Sequence, residues 1–204
     1  MKKTGAWGLA LVAVFLLLGY WVKDTVPFFD ADLADAVGNQ WVNDPTVGVF
    51  TNILGPTMPI VVAVALAGFT ILAWVRDQNH SASVLLRCLV VLLACRAVSL
   101  FKDVFNRSRP RVYADYAYPS GHTVSVACVA FTTVVLCAWF ARQALPWVIG
   151  LAVLLVATAG ALRIMLGVHW LTDVLGAAIG VTGFGLVVCV LLGLLPARER
   201  RVRG

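Results

Sequence analysis

Charge is what this chain has least of. Charged residues make up 13% of its 204 positions and hydrophobic residues 61%, whereas a soluble domain is about a quarter charged and about half apolar. With a mean hydropathy of +0.90, that balance excludes an ordinary water-soluble domain and identifies an integral membrane protein. Linkers are missing as well: no Ser- or Gly-rich tract or low-complexity segment divides the chain, and residues 1–204 read as one domain. Cysteine supplies no framework. Cys88, Cys95, Cys128, Cys137 and Cys189 are odd in number and all lie in apolar runs, where thiols pack as small hydrophobes, and neither a disulfide pattern nor zinc-ribbon spacing is present. The net charge of +6 forms no basic stripe interleaved with aromatics, which removes nucleic acid as a partner.

What the chain does have is six apolar runs, at residues 5–22, 57–75, 82–101, 122–141, 145–165 and 169–195. Each is long enough to cross a hydrocarbon core of about 30 Å as a helix. The expected fold class is therefore all-α, a six-transmembrane-helix bundle with short interfacial helices between spans 1 and 2. The first run follows Lys2 and Lys3 as a signal peptide would, but it is long for one. The following WVKDTVPFF has no small-x-small cleavage site, so it reads as a retained span. Residues 27–55 form the one long connection. Asp44-Pro45 has the form of an N-cap followed by a first-turn proline. Phe28, Phe29, Leu33, Trp41, Phe50 and Leu54 lie among polar residues, as in helices lying along the interface. We read this stretch as a structural cap over the bundle, with a lip that guides a lipid headgroup as the alternative.

An even number of spans puts both termini on one side. Nine basic residues fall on that side (Lys2, Lys3, Arg76, Arg87, Arg142, Arg198, Arg200, Arg201 and Arg203) and seven on the other. Four of those seven crowd into residues 102–111, against the tendency of basic residues to mark the cytoplasmic side, so they need another reason to be there. The termini are therefore expected in the cytoplasm, with the polar cluster facing outward.

That cluster comes in three blocks. Lys102-Asp-Val-Phe-Asn-Arg-Ser-Arg109-Pro110 closes the third span, and its lysine and arginine can grip one phosphate, the arginine through two nitrogens. Arg107 and Arg111 read as side chains snorkelling to headgroups. Tyr118-Pro119-Ser120-Gly121-His122 precedes the fourth span, where free N–H groups and the positive helix end favour an anion. In Arg163-Ile-Met-Leu-Gly-Val-His169-Trp-Leu-Thr-Asp173, the histidine and aspartate share a helical face, so the carboxylate can hold Nδ1 and leave Nε2 bare as nucleophile or base. A turn near Gly167 is needed to bring Arg163 to the same place. Elsewhere, Arg96 is expected to pair with Asp103, Asp115 and Tyr116 to border an entrance or simply meet solvent, and His80 to be surface.

The three blocks together resemble the type 2 phosphatidic acid phosphatase (PAP2) superfamily, whose pattern is K-x6-RP, then PSGH, then SR-x5-H-x3-D. Lys102 to Pro110, Pro119 to His122, and Arg163, His169 and Asp173 fit it, with Leu162 standing where the family usually has serine. The resemblance implies His169 as nucleophile forming a phosphohistidine, Asp173 orienting it and His122 protonating the leaving oxygen. It implies that Lys102, Arg109, Ser120, Gly121 and Arg163 bind the phosphoryl group, without metal or other cofactor. It further implies a bacterial plasma-membrane enzyme acting on a lipid phosphate or diphosphate such as undecaprenyl diphosphate, phosphatidylglycerophosphate or phosphatidic acid. Rival readings are a phosphotransferase using the same intermediate, a metal site built on His122, His169 and Asp173, and a non-catalytic lipid-phosphate transporter.

Overall fold

The computed structural model describes residues 2–37, 45–46, 49, 55–112 and 114–195, and every regular element among them is helical. The long helices are α1 (Lys2–Val22), α3 (Thr57–Val75), α4 (Asn79–Arg96), α6 (Gly121–Phe140), α7 (Leu145–Met165) and α8 (Leu171–Leu191). A short α2 (Phe28–Val37) lies between α1 and α3, and α4 continues through a 3-10 segment, Ala97–Phe101, into the single turn α5 (Lys102–Phe105). Six stretches are long and apolar enough to cross a membrane, matching the six runs of the sequence. Large apolar side chains, among them Trp7, Leu17, Val64, Phe69, Trp74 and Trp147, are exposed on the outside of the bundle. Such a surface is stable only when lipid covers it, so the chain is a multi-pass membrane protein.

Two boundaries differ from the sequence reading for identifiable reasons. The third stretch runs over Asn79–Phe105, because helical turns persist through the 3-10 segment and carry Lys102 onto the helix. The 3-10 segment also removes the expected Arg96–Asp103 pair. It tightens the winding between them to about three residues per turn and breaks their shared register; Arg96 instead donates to Ser99 Oγ and Asp103 is exposed. The last helix stops at Leu191, where Gly193 takes φ 66° and the Leu194 N–H closes on Cys189 O at 2.8 Å, a glycine-type helix end. Between spans 1 and 2, α2 confirms one short helix; Asp44, Trp41, Phe50 and Leu54 lie outside the described residues.

Helix α6 is the centre of the bundle. It is the most buried of the six spans, and it touches α3, α4, α7 and α8, while α1 packs along α8. Between lipid-embedded helices small residues allow the close approach on which packing depends. A Cβ on Gly183 of α8 would lie 2.8 Å from the Val12 nitrogen of α1. At one end of this core, Phe15 and Tyr118 stack at 5.5 Å, with Phe105 edge-on to Tyr118 at 5.2 Å. The Tyr118 hydroxyl donates to Phe15 O at 2.7 Å. Burial, followed by the nearby Asp173 charge, raises the Tyr118 phenol well above its ordinary range, so it keeps the proton it donates. Tyr118, held in this aromatic plug, leads directly into residues 119–122.

Candidate active site

The first block leaves its helix early. Asn106 adopts a left-handed conformation, φ 50°, as the cap of α5, so the chain turns back before Pro110 is reached. Arg109 thereby returns over Lys102. Lys102 Nζ donates to Asp115 Oδ2 at 2.7 Å and to Tyr116 O; Arg109 Nη2 approaches the same Asp115 oxygen at 3.3 Å, and its Nε donates to Asp115 O at 2.5 Å. Both cations thus share one carboxylate oxygen. Burial pushes the Asp115 carboxyl up, but the Lys102 hydrogen bond and charge, with Arg109 behind them, outweigh it and hold the group below its ordinary value.

The second block opens α6. Ser120 is the N-cap residue in an extended conformation with no side-chain capping bond, and its Oγ accepts from Thr123 Oγ1 at 3.0 Å. Its backbone N–H donates to Asp173 O at 3.1 Å, which joins the start of α6 to the start of α8. Gly121 is the first helical residue; a Cβ there would sit 3.5 Å from Lys102 Cε, so the lysine stem crosses the helix end. His122, half-buried, follows in the first turn.

The third block makes the predicted turn. Gly167 takes φ 61°, Gly167 N–H bonds Ile164 O at 2.8 Å and Val168 N–H bonds Arg163 O at 3.2 Å, a Schellman end to α7. Leu162 packs with Leu166 and Val168 beneath it, the apolar contact such ends often carry. The leucine in the family's serine position therefore supports this turn. Arg163 is buried in the last turn of α7, and His169 stands just before α8. His169 Nδ1 lies 3.3 Å from Asp173 Oδ2, which also accepts the Trp170 N–H at 2.8 Å. His169 Nε2 faces Arg109 Nη1 at 3.3 Å. Burial first, then the charges of Arg109 and Arg163, pull the His169 imidazole down to about 4, against a partial upward pull from Asp173. The ring is thus neutral at neutral pH, and with a carboxylate beside Nδ1 and the Arg109 donor beside Nε2 its one proton belongs on Nδ1, which leaves Nε2 bare. Lys102, Arg109, Arg163 and His169 all lie within electrostatic reach of His122, so the three blocks converge on one place.

Arg107 corrects the sequence reading. Its side chain does not snorkel to headgroups: it is 1% exposed and bridges two buried carboxylates, Asp30 Oδ2 at 2.8 Å and Asp173 Oδ1 at 2.5 Å. Asp30, on α2, and Thr172 were not foreseen as part of the site; their local sequence carries no signal beyond an aspartate in an apolar stretch. Arg111 is half-buried, and His80 is exposed with its ring 5.8 Å from Trp139. Among the described residues no group of three or more His, Cys, Asp or Glu side chains is spaced to hold a metal ion.

The family model described as the PAP2 superfamily matches residues 83–195, more than half the chain and all three blocks. The chain belongs to the PAP2 superfamily. Its fold is also similar to a solved structure described as the first transmembrane PAP2 type phosphatidylglycerolphosphate phosphatase from Bacillus subtilis. The TM-score is 0.70 at 22% identity, covering 96% of this chain and 98% of that one. Comparison with curated proteins finds no match. Membership in the PAP2 superfamily accounts for the order of the blocks along the chain, and the six-span layout is that of a transmembrane PAP2 protein.

Proposed function

We propose that this PAP2-family membrane enzyme hydrolyses a phosphate monoester or diphosphate on a membrane lipid, at the extracytoplasmic face and without a metal. The observation that carries the reading is His169. One nitrogen faces a fixed carboxylate and the other faces Arg109, within reach of Arg163 and of His122, which Lys102 also reaches. Phosphoryl transfer asks mainly for positioning and charge stabilisation. Three cations and the free N–H groups at the start of α6 supply both.

In the first step the Nε2 lone pair of His169 attacks phosphorus and the bond to the leaving oxygen breaks. That oxygen takes a proton from His122, which is protonated once the negative charge of the bound phosphate offsets the cations around it, while Asp173 balances the positive charge growing on the His169 imidazole. Lys102, Arg109, Arg163, Ser120 and the Gly121 N–H hold the phosphoryl oxygens; Arg109 exchanges its contacts with Asp115 and Nε2 for the substrate. In the second step neutral His122 takes a proton from water as the water oxygen attacks phosphorus. The P–N bond breaks, inorganic phosphate leaves and both imidazoles return to their starting states. Among lipids, phosphatidylglycerophosphate ranks first, supported by the described activity of the Bacillus subtilis protein; undecaprenyl diphosphate and phosphatidic acid follow. The basic residues on the terminal side support cytoplasmic termini and a site open to the outer leaflet of a bacterial plasma membrane. A cavity of about 630 Å³ bordered by Asp103, Arg109, Arg111, Asp115 and Tyr116 offers room for a headgroup.

The test is phosphate release from purified lipid phosphates and diphosphates by wild type, His169→Ala and His122→Ala. Both variants lose turnover while remaining folded. Wild-type turnover in His169→Ala would overturn the nucleophile, and a phosphorylated acceptor in place of free phosphate would make the enzyme a transferase.

A further inference from the structure

The buried charges behind Asp173 have a geometry that phosphate binding does not require. Arg107 reaches Asp173 Oδ1 and Thr172 Oγ1 through Nη1, at 2.5 and 2.6 Å, and Asp30 Oδ2 through Nη2 at 2.8 Å. Asp30 in turn accepts the Thr172 backbone N–H at 3.0 Å and its hydroxyl at 2.5 Å, so a residue of α2 is pinned to the first turn of α8. Trp170 covers the guanidinium, its ring 5.7 Å from Arg107 Cζ. All three charged side chains are at most 1% exposed.

We infer that Arg107 and Asp30 are positioning residues. Arg107 holds the Asp173 carboxylate in the orientation that faces His169 Nδ1, and Asp30 balances Arg107 so that the cluster as a whole presents a net negative charge to the imidazole. The inference rests on the reading of His169 as nucleophile.

One observation supports each half. Of the donors on Asp173, the His169 contact is the longest at 3.3 Å, against 2.8 Å for the Trp170 N–H and 2.5 Å for Arg107. The histidine is therefore aimed by the aspartate, and the aspartate is aimed by Arg107 and the backbone. The second half follows from charge. Arg107 with Asp173 alone is a neutral pair, and a neutral pair offers little to an imidazole turning positive as the P–N bond forms. With Asp30 the cluster carries one net negative charge in a site of low dielectric, where near charges count most. The groups facing His169 from the other side, Arg109 and Arg163, with Lys102 near Asp173, are all cationic; Tyr118, beside Asp173 and Arg107, stays neutral. Without Asp30 no net negative charge would lie behind the nucleophile. Helix α2 is then more than a cap: it delivers a charge to the site.

The experiment uses the full chain in nanodiscs, comparing wild type with Arg107→Met, Arg107→Lys and Asp30→Asn. It reads kcat and KM on phosphatidylglycerophosphate, and the 15N shifts of the His169 ring, which report its tautomer. Arg107→Met lowers kcat by about 10- to 100-fold, as loss of an orienting partner does elsewhere, with KM little changed because the phosphate-gripping cations are intact. Its His169 leaves the single Nδ1-H tautomer for a mixture. Arg107→Lys recovers part of kcat, and Asp30→Asn lowers kcat less than Arg107→Met with the same KM. Folded variants with wild-type kcat and a wild-type tautomer, or with a change in KM alone, overturn the inference. If Arg107→Met does not fold, Asp30→Asn decides by the same readouts. A wild type inactive on every lipid phosphate, with variants that still shift the tautomer, would overturn the proposed substrate class and sustain the positioning role.

Discussion

A substitution on a helix that carries none of the proposed catalytic groups tests how residues 119–122 are held. A Cβ on Gly19 of α1 would lie 2.6 Å from both Phe105 Cζ and Tyr118 Cε1. Carbon atoms pack at about 3.5 to 4.0 Å, so the rings must retreat by about 1 Å. Retreat is blocked: Tyr118 is stacked on Phe15 at 5.5 Å, and on its other side Gly176 of α8 leaves no room for even a methyl group beside the ring. Alanine in place of a helical glycine gains about 1 kcal/mol, whereas overpacking costs about 1 to 3 kcal/mol. The net stability change of Gly19→Ala is then between nothing and a loss of about 2 kcal/mol. Activity suffers more. Tyr118 stands two residues before Ser120, and a shift of about 1 Å in a site that depends on orientation costs about 100-fold. Phosphate release and thermal unfolding in the same detergent separate the two effects, and kcat/KM should fall far more than stability does. Gly68→Ala is the control, since nothing lies within 4 Å of its Cβ; it should gain about 1 kcal/mol with unchanged activity. Wild-type kcat/KM in Gly19→Ala would refute the idea that the aromatic plug sets the loop.

Other outcomes follow from the same geometry. Asp115 pairs with Lys102 and Arg109, the cations proposed to grip phosphate, so Asp115→Ala should lower KM; an unchanged or raised KM would show that Asp115 does not occupy the phosphate position. The folded-state value of His169, about 4, lies below the ordinary 6.5, so the unfolded chain takes up this proton first. The contribution of His169 to stability should be complete above 6.5 and fall away between 6.5 and about 4. Histidine 15N NMR should find the ring neutral at pH 6, and a midpoint at or above 6.5 would contradict its burial. Turnover should be unchanged in EDTA and blocked by vanadate, which mimics five-coordinate phosphorus; loss of activity in EDTA that zinc restores would favour the metal reading.

Much of this was legible in the residues because the blocks lie at the ends of apolar runs, where charge is scarce enough to stand out. The turn at Gly167 was legible for a stereochemical reason: six residues separate Arg163 from His169, which one continuous helix cannot place on one face. Arg107 was not legible. A basic residue following a span ordinarily reaches for headgroups, and only the folded chain brings Asp30, 77 positions earlier, back over it. The Arg96–Asp103 pair failed because seven residues keep a face only if the winding stays α-helical, and nothing in Ala97–Phe101 announces a 3-10 segment. Leu162 showed in the sequence only as a departure from the family's serine, and the apolar contact it makes under the turn needed the folded chain.

The most direct test of the central claim is to trap the intermediate. Wild-type enzyme mixed with phosphatidylglycerophosphate carrying 32P in its terminal phosphate, and quenched within one turnover, should yield an acid-labile, alkali-stable phosphoenzyme. Its label should map to the peptide containing His169 and disappear in His169→Ala. Label on another residue, or vigorous wild-type hydrolysis with no phosphoenzyme at any quench time, would contradict the account.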